Sequence, residues 1–346
     1  MKIGIIGLGL IGGSIALKLK DLFDNLTIYG YDIDHDSISY SIKSKIINAK
    51  YDEDLLNELD YVFLAIPVES IKNQLQNYLD KISEKTLIID LGSTKFQICN
   101  SVKDHKKRKN YLAAHPIAGT EFSGPGSATK DLFNNKVMIL CDTDKTDSNL
   151  LSNAKKIIQS IGMIIKIMDS KEHDRHIAYV SHLSHISSFM LGKTVMDKED
   201  GEHAIYNMAG SGFESTVRLA KSSPEMWSSI FVENKKNIIE SLDEYISNIN
   251  NFKKLIEKSD QETLNNEMRR INGIKEILKG IQYTIMENKK EYRNWLNQMN
   301  LEHPLVIAGP CSAETEEQVL KIANQLKESD VTAYSCLLYT SDAADD

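Results

Sequence analysis

From Met1 to about Met168, short apolar runs of strand length alternate with longer amphipathic stretches. The runs cover residues 2–6, 26–31, 61–66, 87–90, 111–114, 137–140 and 163–167, and glycines and prolines punctuate their ends. This alternation predicts an α/β domain in which helices flank a parallel-rich sheet. After about Asp169 the strand pattern stops, and apolar residues recur every three or four positions to about Tyr283, which predicts an all-helical domain. Pro224, preceded by Ser222 and Ser223, marks a helix start. Ile230, Phe231, Ile238, Ile239, Leu242 and Tyr245 then trace an apolar stripe that reads as core or as a subunit seam. The pattern breaks again near Met286, where a charged helix leads into a buried-looking strand. The expected division is therefore 1–168, 169–285, 286–334 and a tail, 335–346, that lacks periodicity and reads as artefactual or disordered.

Composition narrows the function classes. The chain of 346 residues is long enough for two domains with real cores. Its 41 basic and 49 acidic residues give a formal charge of -8, which argues against a nucleic-acid binder and against an anionic membrane surface. An anionic ligand must then meet local cations. Cys99, Cys141, Cys311 and Cys336 show no paired spacing, so neither a disulfide framework nor a zinc knuckle is predicted, and a reducing, cytoplasmic setting fits. The apolar N-terminus resembles a signal peptide, but its glycines sit at dinucleotide-binding spacing and no small-residue cleavage site follows. No other stretch is long and apolar enough to span a bilayer, which predicts a soluble protein.

Gly7-Leu8-Gly9-Leu10-Ile11-Gly12 follows the first run and opens a helix. In such a unit the first glycine allows a tight turn, the second lets a pyrophosphate approach the backbone, and the third lets helix and strand pack closely. The helix N-terminus adds unpaired N–H groups and a positive dipole end. Alone, the glycine spacing is a weak signal. Asp32 strengthens it, because it ends the second run at about the twenty-residue distance where a carboxylate accepts from the ribose hydroxyls. The same charge repels a ribose phosphate, so NAD is predicted over NADP, with Asp34 and His35 as candidates for modulating that choice.

Two further motifs follow strands, at the carboxyl edge where an open α/β sheet binds ligands: Leu91-Gly92-Ser93-Thr94-Lys95 and Ala114-His115-Pro116-Ile117-Ala118-Gly119-Thr120-Glu121. His115 fits a general base, with the Ser93 hydroxyl holding either the imidazole or a substrate alcohol. The competing reading is a buried histidine satisfied by a carbonyl, and placement after a strand favours the site. In the helical half, Ser181-His182-Leu183-Ser184-His185 sets two histidines on one face. Arg218, at the end of Gly210-Ser211-Gly212-Phe213-Glu214-Ser215-Thr216-Val217, can grip a carboxylate in a bidentate fork, although an isolated arginine is more often a surface ion pair. His173, His176, His182 and His185 also raise the question of a metal, but no zinc-type spacing accompanies them.

Taken together, MKIGIIGLGLIGGSIA, LAIPV, DLGSTK, AAHPIAGTEFSG, the SHLSH helix and GSGFESTVRLAKSSPEMW resemble prephenate dehydrogenases, in that order, over roughly residues 1–285. The resemblance implies a Rossmann domain and a helical dimerisation domain, hence a homodimer. It also implies NAD-dependent oxidative decarboxylation of prephenate to 4-hydroxyphenylpyruvate, in tyrosine biosynthesis on the shikimate pathway. His115 would then take the ring-hydroxyl proton, Ser93 would orient it, and Arg218 would anchor a carboxylate. His185, Glu121 and Gly212 match further substrate positions. Ser184 departs from the family, which often has proline there; the change concerns helix shape more than chemistry. Residues 286–334, with Gly309-Pro310-Cys311-Ser312, resemble the first strand and helix of DAHP synthases, a truncated piece that cannot close a barrel or form that family's metal site. Three rivals remain. An arogenate dehydrogenase would run the same chemistry, a β-hydroxyacid dehydrogenase would need a catalytic lysine in place of the histidine motif, and a sensor would bind NAD without turnover.

Overall fold

All seven apolar runs form strands of one sheet in the computed structural model, which describes residues 1–120, 122–202, 205–278, 307–308 and 333–334. In chain order these are β1 (Lys2–Ile6), β2 (Thr27–Tyr31), β4 (Tyr61–Leu64), β5 (Leu87–Asp90), β6 (Tyr111–Ile117), β7 (Val137–Cys141) and β8 (Ile164–Met168). An eighth strand, β3 (Ala49–Lys50), pairs at the edge beside β2 and is too short to carry a readable period. The spatial order is β3-β2-β1-β4-β5-β6-β7-β8. Every pairing is parallel except β6 with β7. The order reverses between β1 and β4, and the crevice beyond the carboxyl ends of those strands is where such a sheet takes a ligand.

Adjacent residues of the central strands face opposite cores, which explains why the runs are continuously apolar rather than alternating. One face gathers Ile5, Ile28, Phe63, Ile89 and Leu112 with α1 (Leu10–Leu22) and α5 (Ser148–Ser160). The other gathers Ile6, Val62, Leu64, Ile88 and Tyr111 with α3 (Val68–Lys81) and α4 (Phe96–Ser101). Trp227 and Ile230 belong to this second core, so the helical region packs on that face. Lys72 of α3 pairs with Glu233 across the junction. The remaining helix between strands is α2 (His35–Lys43).

The helical region begins with α6 (Ser170–Ile177), capped by Asp169, whose side chain accepts from the Lys171 and Glu172 backbones. A π-helical turn (Ala178–His182) leads into α7 (Leu183–Glu202), and α8 (Ser211–Val217), α9 (Pro224–Glu233), α10 (Lys235–Glu257) and α11 (Gln261–Ile271) follow. Pro224 opens α9 as predicted, with the Ser223 side chain accepting from Met226 N. The apolar stripe is not continuous, because Asn234 ends α9 and starts α10. Ile230 and Ile238 are buried, whereas Ile239 is 47% exposed.

The chain divides into two compact units, Met1–Gly201 with Thr216–Gly273, and Glu202–Ser215 with Ile274–Asp346. The second contains a parallel pair, β9 (Ile307–Ala308) with β10 (Ala333–Tyr334). The rest of the synthase-like segment, 286–334, and the tail, 335–346, lie outside the described residues. Among the described residues no helix is long and apolar enough to cross a membrane.

Candidate active site

The glycine turn is held by close contacts at two of its three glycines. Gly7 adopts φ 98°, and a Cβ there would lie 2.3 Å from the Ala65 carbonyl oxygen. A Cβ on Gly12 would lie 2.0 Å from the Gly7 carbonyl oxygen. Gly9 differs: nothing lies within 4 Å of the position its Cβ would take, so packing does not require a glycine there, but close approach by a ligand would. Gly9 also caps α1 without a side-chain bond, which leaves the first-turn N–H groups for an anion. Asp32, just past β2, accepts from Leu8 N at 2.7 Å and from Asp34 N at 3.0 Å and so braces the turn. The neighbouring Asp34 carboxylate is engaged in capping α2 through Asp36 N and Ser37 N. These residues fit a dinucleotide.

His115 does not follow its strand but lies within it. The first half of β6 pairs with β5 as far as Asp90 opposite Ala113, and the second half pairs with β7, His115 opposite Ile139. His115 thus stands beyond the end of β5, at the carboxyl edge, while β7 still fixes its backbone. The antiparallel pairing that the periodicity did not reveal is what holds the residue rigid. His115 is 9% exposed. Burial, reinforced by His173, Lys95 and His182, holds its pKa well below the ordinary 6.5, so the ring is neutral near neutral pH.

Its Nδ1 is 2.9 Å from Nε2 of His173, and Nδ1 of His173 is 2.8 Å from Oδ1 of Asp174. Asp174 also accepts from Lys95 N at 2.7 Å and from Phe96 N at 2.9 Å, and so caps α4 of the nucleotide-binding region from α6. Nδ1 of the His115 ring is therefore engaged by His173. Ser93 is half-buried in the turn after β5, beside Gly92, whose N–H donates to Asp90 at 2.7 Å. Lys95, from the same motif, turns inward. It is 0% exposed and donates from Nζ to Asp90 and, at 2.8 Å, to the Ala114 carbonyl.

On the helical side, the π turn before α7 adds a residue to the helical spacing, an irregularity frequent at functional sites. Asn234 Nδ2 donates to the Asp174 carbonyl at 2.7 Å and to His182 Nδ1 at 3.2 Å, and the amide is fixed by Asn237, which donates to its oxygen at 2.7 Å. His185 donates from Nδ1 to the Ser181 carbonyl at 2.9 Å and stacks on Trp227, with ring centres 3.5 Å apart. Burial lowers the His185 pKa against the raising effect of Ser181, and the charge of Arg218 lowers it further. Ser188 ties the segment carrying Arg218 to α7, accepting from Ala220 N and donating to the Thr216 carbonyl, both at 3.1 Å. A series of neighbouring groups thus runs from His115 through His173 and His182 to His185 and Arg218. Gly212 lies in α8, within the second unit, and Glu121 lies outside the described residues.

Burial lowers the His182 imidazole to about 4, although Asp174 pulls it upward. Because the folded pKa lies below the ordinary 6.5, the unfolded chain binds more protons between about 6.5 and 4, and stability falls as pH drops through that window. Urea unfolding at about pH 7 and about pH 5 is expected to show this loss, and His182→Asn, whose amide oxygen can still accept from Asn234, is expected to show less of it. An equal loss in both proteins would mean that His182 is not the group responsible.

Sequence reasoning nominated His115, His185 and Arg218 but not Asp174, Asn234 or Trp227, and it weighed His173 only for metal. The adjacency of a histidine and an aspartate just inside a helix capped by Asp169 was the available signal, and it is weak without the fold.

The arrangement unites a dinucleotide turn, a neutral imidazole at the sheet edge and a guanidinium near a second imidazole. Comparison with known proteins agrees with it. The family model for the prephenate dehydrogenase nucleotide-binding domain matches residues 15–167, and that for the prephenate dehydrogenase dimerization domain matches residues 169–270. The prephenate dehydrogenase of Bacillus subtilis is 31% identical over 262 residues, covering 75% of this chain and 71% of that protein. A crystal structure of Aquifex aeolicus prephenate dehydrogenase with hydroxyphenyl propionate and NAD+ superposes with a TM-score of 0.74 at 31% identity, covering 80% of this chain and 97% of that one. Synechocystis arogenate dehydrogenase superposes with a TM-score of 0.67 at 26% identity, covering 80% of this chain and all of that one, 100%. With two family models end to end over most of its length, this chain belongs to the prephenate dehydrogenase family.

Proposed function

We propose that this chain oxidatively decarboxylates prephenate to 4-hydroxyphenylpyruvate with NAD, in tyrosine biosynthesis. The observation that carries the reading is the neutral, buried His115 at the carboxyl edge of the sheet, one hydrogen bond from His173 and, through it, two from Asp174 of the helical region. Bound NAD supplies the acceptor for the hydride that leaves the alcohol carbon. Gly7, Gly9 and Gly12 shape the turn for its pyrophosphate, and Asp32 meets the adenosine ribose and disfavours a phosphate there. His115 removes the ring-hydroxyl proton, and Ser93 holds either the imidazole or that hydroxyl in register. Arg218 grips a substrate carboxylate. Loss of carbon dioxide makes the ring aromatic, so the carboxylate that leaves must not be held too tightly. His185, Gly212 and Glu121 complete the substrate contacts in this reading, the last two on the strength of the motifs alone.

Residues 1–168 act as the NAD-binding domain and 169–285 as the substrate and dimerisation domain of a homodimer in the cytoplasm. Exposed Ile239, Ile246, Ile249 and Ile256 recur along α10 and suit a subunit seam. For 286–334 the DAHP-synthase reading rests on Gly309-Pro310-Cys311-Ser312.

The test is NADH formation by the purified chain, with prephenate and arogenate offered separately and each paired with NAD or NADP. Turnover of prephenate with NAD supports the proposal. Preference for arogenate would replace the substrate, and cofactor binding without turnover of either would mark a sensor.

A further inference from the structure

A carboxylate and two imidazoles in series fix where the protons sit. Asp174 is an acceptor already engaged by two backbone N–H groups, so its 2.8 Å contact with His173 Nδ1 requires the proton on that nitrogen. With His173 taken as a neutral imidazole, donation from Nδ1 leaves its lone pair on Nε2. The 2.9 Å contact between that Nε2 and His115 Nδ1 then requires His115 to donate. By elimination the lone pair of His115 lies on Nε2, the ring nitrogen away from the series.

We propose that His173 and Asp174 are positioning residues that select the Nδ1-protonated tautomer of His115, make Nε2 its basic atom, and offset the charge it gains. This rests on the reading of His115 as the general base. In the step itself the alcohol O–H bond breaks and an N–H bond forms at Nε2, while the protons on the two Nδ1 atoms stay in place. The imidazolium so formed donates through His173 toward the Asp174 carboxylate, an orientation by hydrogen bonds like that of a serine-protease triad. The charged or titratable neighbours of His115 are His173 from α6, Lys95 before α4 and His182 from the π turn, and Lys95 is already paired with Asp90. His173 and Asp174 are 1% and 2% exposed, so water does not compete for these contacts.

Asn234 secures the far end of the series. It donates to the Asp174 backbone carbonyl and to His182, which fixes the middle of α6 and the π turn against the α9–α10 junction. The base is thus oriented by the helical region although it stands on the nucleotide-binding sheet.

The experiment compares the wild type with His173→Leu and His173→Gln. Nitrogen-15 NMR of histidine-labelled protein reads the His115 tautomer, assigned by the signal missing in His115→Asn, and kcat is measured across pH. The wild type is expected to show His115 protonated on Nδ1. His173→Leu, which accepts nothing, is expected to mix the tautomers and to lower kcat by about ten- to a hundredfold, with KM for NAD unchanged. His173→Gln, whose amide oxygen can stand near the lost Nε2, is expected to restore the Nδ1 form and part of kcat. A wild-type His115 protonated on Nε2, or a His173→Leu protein with an unchanged tautomer, would overturn the proposal. Because the spectrum reads the tautomer without turnover, failure of the relay is distinguishable from failure of His115 as the base, which would appear as full activity in His115→Asn.

Discussion

His115→Asn is expected to lower kcat by about a hundred- to ten-thousandfold while the dissociation constant for NAD stays nearly unchanged. Asparagine is the informative substitution because its amide nitrogen can take the place of Nδ1 and still donate to His173, so the buried contacts survive while the basic Nε2 is lost. Cofactor affinity is expected to hold because the glycine turn and Asp32 stand on β1 and β2, on the other side of β4 and β5 from His115. The pH profile of the wild type supplies an independent reading. The base must be unprotonated to work, so activity is lost as pH falls through its pKa, and burial places that pKa below the ordinary 6.5. The acid limb of kcat/KM, which reports the free enzyme, is therefore expected below that value and is expected to vanish in the variant. Steady-state kinetics and a cofactor titration by protein fluorescence measure both quantities. A variant that keeps kcat within about tenfold of the wild type would assign the proton to another group.

What the sequence disclosed was what short-range spacing controls. The central strands β4, β5 and β6 were readable because both faces of the sheet are covered there, so that each became a continuously buried run, whereas β8 at the edge is interrupted by Lys166. The glycine turn was readable because its constraints, a positive φ at Gly7 and the approach of Gly12 to the Gly7 carbonyl, arise within one turn of chain. Direction was not readable: β7 looks like any buried strand, and only its pairing shows that it opposes β6. Nor was the partner of His115, since His173 lies 58 residues away and reaches it only after α6 docks on α4. The break within the stripe from Ile230 to Tyr245 was hidden for a related reason. A period was followed across Asn234, whose polar side chain is buried in service of His182 and Asp174.

Lys95 is where local pattern and structure part most clearly, and Lys95→Met is expected to cost about 3–5 kcal/mol of folding stability. It stands in a turn at the ligand edge, yet its side chain is wholly buried against Asp90, itself 0% exposed. Asp90 accepts from Lys95 Nζ and Gly92 N on one oxygen and from the Tyr111 hydroxyl on the other, at 2.7 Å. Removing the ammonium leaves that carboxylate buried with neutral donors alone, and the Ala114 carbonyl, next to His115, loses its partner. Methionine fills a similar volume, so the loss reports charge rather than a cavity. The double variant Asp90→Asn with Lys95→Met removes both charges and keeps an amide for Gly92 and Tyr111, and it is expected to recover part of the loss. Urea denaturation of the two variants and the wild type measures this. A single variant that loses less than about 1 kcal/mol would place Lys95 in water rather than in the core. With the expected loss, the lysine becomes a strut that holds β5, β6 and the turn bearing Ser93 in one register.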